Sequence, residues 1–106
     1  MREIVYEDDF LIGEKKRIVL KLLKVEKDDN FPEGLEFAIQ YLYLKDDEWI
    51  QIVRIDNQLH EGKSGIHTHV LKRNKVEWVD ISFKEAKEKI IEIGEGVIKN
   101  IIGAKK

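Results

Sequence analysis

The sequence predicts an α+β fold: an antiparallel β-meander of about five to seven strands covered by one long C-terminal helix. Three observations predict it. Apolar residues alternate with period two through 16–25 and 35–44. Short polar turns separate the apolar runs, so successive strands pair antiparallel. At Ser82 the period becomes helical and stays so to about Ile102.

The elements follow in order. Residues 2–12 carry the apolar runs Ile4-Val5-Tyr6 and Phe10-Leu11-Ile12, split by Glu7-Asp8-Asp9, which reads as one or two weak strands before a turn at Gly13-Glu14. Residues 16–25 are a firmer strand, apolar on both faces: Ile18, Leu20 and Leu22 alternate with Val19, Leu23 and Val25. The Lys15-Lys16-Arg17 run reads as a solvated entry to that strand. A polar loop marked by Pro32 and Gly34 leads to the clearest strand, 35–44. There Leu35, Phe37, Ile39, Tyr41 and Tyr43 share a face.

The charged connection 45–48 turns the chain into a strand over 49–56. A loop spans 57–65, followed by a strand over 66–71, a turn at Arg73-Asn74 and a strand over 76–80. Ser82 and Glu85 have the spacing of a capping box. Phe83, Ala86, Ile90, Ile93, Val97, Ile98 and Ile101 then form one helical stripe, closed by Gly103 as cap, with 104–106 a frayed end. Gly94 and Gly96 weaken that helix by about 1 kcal/mol each and mark a kink or close packing on the sheet. The aromatic side chains of Trp49 and Trp78 read as packing groups on the sheet.

At 106 residues with a hydrophobic fraction of 42%, the chain is expected to fold as a single domain, 1–106. Charged residues reach 38%, above the usual share of about 25%, and are mostly Lys and Glu beside abundant Ile and Val. That mix is thermophile-like. The formal net charge of -2 shows no basic bias of the kind that marks a nucleic-acid-binding surface. The absence of cysteine excludes disulfides and thiolate metal sites. The charged N-terminus and the lack of a long apolar run point to a soluble, cytoplasmic protein with no membrane partner.

One stretch stands apart. Residues 53–71 hold all three histidines, His60, His67 and His69, together with Arg54, Asp56, Asn57 and Lys63. Histidine titrates near neutral pH, and here it lies beside a cation, a carboxylate and a glycine-marked loop. Residues two apart on a strand share a face, so His67 pairs with His69 and Arg54 with Asp56. If the two strands pair across the 57–65 loop, all four meet on one patch. That loop exceeds the roughly two to five residues usual in a hairpin, and extra length of this kind often serves function.

Three uses compete for the stretch. In the first, His67 and His69 ligate a divalent transition metal, with His60 or Asp56 completing the set. In the second, no cofactor is needed: two histidines move protons on a phosphodiester while Arg54, Lys63 or Lys72 holds the phosphate. In the third, Asp56 and Asn57 turn the chain, Arg54 pairs with Asp56, and the histidines sit on a solvated sheet face. Apolar residues on both faces of the central strands also fit a homodimer or another partner-binding sheet.

The order of polar residues carries a resemblance. An aromatic strand over 37–44, Arg54-Ile55-Asp56-Asn57, His60, His67-Thr68-His69-Val70, a turn, a strand and a C-terminal helix together resemble the TumE-like family, small toxins of toxin–antitoxin modules. A set of small uncharacterised bacterial and archaeal proteins has the same Arg-x-Asp…His…His-x-His order. The resemblance spans roughly residues 35–97. This chain departs from the pattern at Ile55, where an aromatic residue is usual, and at 61–66, where the approach to His-x-His is shorter and lacks proline. The resemblance implies a toxin-type role with an antitoxin protein as partner, and the phosphodiester reading of the residues makes RNA the candidate target. The resemblance marks Arg54, Asp56, Asn57, His60, His67 and His69, and the acid–base reading makes His67, His69, Arg54 and Asp56 the expected catalytic set. Asn57 and His60 join them as binding residues, and Lys63 is the accompanying phosphate-holding candidate.

Overall fold

Alternating apolar residues and short turns build one sheet. The computed structural model describes residues 3–57, 65–70, 75–79 and 82–103, with backbone alone for 75–79 and 101–103. The described residues form β1 (Glu3–Gly13), β2 (Lys16–Lys24), β3 (Leu35–Lys45), β4 (Glu48–Asp56), β5 (Ile66–Val70), β6 (Lys75–Val79) and the helix α1 (Phe83–Gly103). The strands lie in sequence order, each antiparallel to the next. The fold is α+β, with α1 packed across β3 and β4.

β1 is one continuous strand rather than two weak ones. Its acidic centre stays in the sheet because cations stand across from it on β2: Glu7 lies 3.8 Å from the Lys21 ammonium. The Arg17 guanidinium grips the Asp9 carboxylate, with Nε 2.6 Å from Oδ1. Opposite charges facing each other across a ladder stabilise it. Arg17 also lies over the Trp49 ring, 5.4 Å from its centroid. Of the strand-entry cations, Arg17 is therefore engaged within the sheet.

β3 and β4 are joined by Asp46 and Asp47, both with positive φ (51° and 64°). Such a two-residue turn matches the twist of its flanking strands, and Asp tolerates the left-handed region. β4 then departs from simple alternation. Tyr41 pairs with Val53, yet Leu42 pairs with Gln51, so Ile52 is an extra, bulged residue. Before the bulge Ile50 packs against the core under α1. After it, the buried residues on that side are Val53 and Ile55. The phase of the strand is reversed, and Arg54 and Asp56 are sent to the face away from the helix.

The core lies between sheet and helix. Ile18, Leu20, Phe37, Ile39, Tyr41, Val53 and Ile55 meet Ala86, Ile90 and Ile98. The helix begins as its spacing predicts: the Glu85 amide donates to Ser82 Oγ at 3.1 Å, and the Ser82 amide donates to Glu85 Oε1 at 3.2 Å. Phe83 meets Phe37 edge to face, ring centroids 5.4 Å apart. Gly94 fits because it has no side chain. A Cβ there would lie 2.5 Å from the buried Tyr41 ring. The loop residues 58–64, the Arg73-Asn74 turn and the end 104–106 lie outside the described residues.

A polar clamp ties this helix to the sheet. The Tyr41 hydroxyl donates to Glu95 Oε1 at 3.0 Å, and the Lys16 ammonium donates to Glu95 Oε2 at 2.7 Å. Burial pushes the Tyr41 hydroxyl pKa up, and donation to Glu95 raises it further. The Lys16 hydrogen bond holds the Glu95 carboxyl below its ordinary value; burial opposes this, and the Tyr41 hydrogen bond assists it. A carboxyl whose pKa is lower folded than unfolded adds stability above its unfolded value of about 4.3. That stability is lost as pH falls through the lower folded value. The stability gap between the protein and Glu95→Gln, followed by urea denaturation, should be constant near neutral pH and shrink as pH drops below 4.3 or so. A gap that does not change with pH would show that the clamp is not linked to Glu95 ionisation.

Candidate functional site

The site grows from one pair of strands. β4 and β5 set Asp56 directly opposite His67 and Arg54 opposite His69. With the phase reversed at Ile52, all four share the face away from α1, while Ile55 and Thr68 form the opposing pair on the helix side.

Asp56 is the centre. Its carboxylate is buried, at 2% exposure, which is costly for a charge unless partners surround it. They do. Arg54 Nε donates to Oδ2 at 2.9 Å. His67 Nε2 lies 3.1 Å from Oδ1, and His69 Nε2 lies 3.7 Å from Oδ2. The two imidazoles meet edge to face, with centroids 4.6 Å apart and planes at 73°. That tilt lets both Nε2 atoms turn toward one carboxylate.

The two histidines are not equivalent. His67 is buried at 1% exposure, and its Nδ1 lies 3.3 Å from the carbonyl oxygen of Gly65. Gly65 has a φ of 118°, a conformation open to glycine but rarely to other residues. This glycine therefore sets the chain geometry at the point where its carbonyl meets His67. His69 keeps 29% side-chain exposure and Arg54 keeps 31%, so these two present the site to solvent.

Asn57 serves the sheet. Its Oδ1 accepts from the Phe37 amide at 2.7 Å, and its Nδ2 donates to the Leu35 carbonyl at 2.8 Å. The side chain thus continues the β3–β4 ladder past the last strand residue and holds Asp56 in position. His60 and Lys63 lie outside the described residues. The carbonyl of Gly65 was not legible as a site group, because a backbone acceptor has no residue-type signal.

A cavity of about 640 Å³ has walls including Leu22, Phe31, Pro32, Phe37 and Phe83, and Asn57 and Gly65 also line it. Phe37 belongs to the core under the helix, so this hollow lies on the other side of the sheet from the histidines. The histidine–carboxylate cluster is not part of its lining.

No family model matches the chain, and comparisons with curated proteins and with solved structures return no match. Among the described residues, no helix is long and apolar enough to cross a membrane.

Proposed function

We propose that the chain is a toxin-type component of a toxin–antitoxin module that acts on RNA through Arg54, Asp56, His67 and His69. The supporting observation is the convergence of two imidazoles and a guanidinium on one buried carboxylate, with only Arg54 and His69 reaching solvent. RNA suits such a set because its 2′-hydroxyl supplies the nucleophile. The protein need only move protons and hold the phosphate. His69 is the proton-transfer group. Arg54, its fork oriented by the bond from Nε to Asp56, is the anion holder. Asp56 and His67 are positioning residues that fix the other two.

The antitoxin, or a second copy of the chain, has an available surface. Edge strand β1 exposes Ile4, Val5 and Leu11 at 55%, 56% and 63%. Light scattering of the chain alone separates the two partners.

His69→Ala and Arg54→Ala should each lower RNA cleavage by the purified chain about 100-fold or more and relieve growth inhibition in cells. Both positions are partly exposed, so circular dichroism should show the fold retained. If the two variants stay folded and fully toxic, the reading fails.

A further inference from the structure

We propose that Asp56, His67 and His69 form a binding site for one divalent transition-metal ion of the zinc class. His67 is the starting point. Its Nδ1 lies 3.3 Å from the Gly65 carbonyl oxygen, an acceptor to which the Nδ1-protonated tautomer donates. Its Nε2 then faces a carboxylate oxygen 3.1 Å away, also an acceptor. In that tautomer the Nε2 lone pair and Oδ1 are both available as ligands to one cation.

His69 Nε2 lies 3.7 Å from Oδ2 of the same carboxylate. A metal ion serves all three. Tetrahedral zinc, with bonds of about 2.0 to 2.1 Å, places neighbouring ligand atoms about 3.3 to 3.5 Å apart. The 3.1 Å from His67 Nε2 to Asp56 Oδ1 is close to that edge. All three ligand atoms lie within 4.8 Å of one another, and the partly exposed His69 can rotate to close the set.

The surroundings are those of a metal site. The Gly65 carbonyl beside Nδ1 favours the tautomer that aims the Nε2 lone pair inward. Arg54 holds one carboxylate oxygen, leaving Oδ1 on the side of His67. Two imidazoles and a carboxylate favour zinc, nickel, cobalt or copper over magnesium or calcium. The exposed side of His69 gives a fourth position to water. An ion held there occupies Nε2 of His69 and switches off its proton transfer. That consequence rests on the RNA reading, whereas ion binding does not.

The test uses tag-free, chelator-treated full chain without RNA. Titration with zinc followed by calorimetry should show one ion per chain. Cobalt should give the intense visible bands of a tetrahedral site with nitrogen and oxygen ligands. His69→Ala should weaken zinc binding at least about tenfold and abolish those bands. The proposal is overturned if zinc and cobalt do not bind stoichiometrically, or if His69→Ala binds them as tightly as the unaltered chain. Stoichiometric binding in a chain that cleaves no RNA would support the ion site and sink the RNA reading.

Discussion

Replacing Asp56 by alanine is expected to destabilise the protein by about 3 to 5 kcal/mol. The carboxylate is buried and answers three basic groups. Its removal leaves the Arg54 guanidinium without this partner and buried His67 facing a void where Oδ1 stood. The void adds a packing loss to the electrostatic one. Urea denaturation measures the change as a shift in midpoint at constant slope. Asp56→Asn keeps the volume and one acceptor oxygen but not the charge, so it should fall between the two. A loss below about 1 kcal/mol for the alanine variant would mean that the partners relax to solvent and that the carboxylate does not organise the site.

Gly94→Ala is expected to destabilise by about 1 to 3 kcal/mol, although alanine is the better helix former. The added methyl carbon would meet the Tyr41 ring at 2.5 to 2.8 Å, and Tyr41 is fully buried. The ring cannot swing aside without disturbing the core and the hydrogen bond to Glu95. Two residues on, Gly96→Ala should have the opposite sign and stabilise by up to about 1 kcal/mol, since a Cβ there meets nothing within 4 Å. Thermal melts of the two single variants make a matched comparison. Equal shifts of one sign would show that helix propensity alone governs both positions.

The glycine pair shows where sequence reading stops. Period and capping place Gly94 and Gly96 inside one helix, and propensity assigns them the same cost. Only the approach of α1 to Tyr41 distinguishes a glycine required by packing from one that merely weakens the helix. Neither the partner of Glu95 nor the engagement of Lys16 follows from local pattern, because these residues meet across 79 and 54 positions of chain.

The histidine stretch divides in the same way. The sequence by itself determined that His67 shares a strand face with His69, and Arg54 with Asp56, because strand side chains repeat every two residues. It also determined the meander, from period and turn chemistry, and the helix start at Ser82. The tertiary structure alone decided that the two pairs meet on one face. The bulge at Ile52 reverses the phase of β4, and its presence is set by pairing with β3. Register with β5 then brings Asp56 against His67. Burial made the last distinction, enclosing His67 and leaving His69 partly open. Local periodicity encodes which residues point together. What they point at depends on cross-strand register and covering surface, which are properties of the assembled sheet.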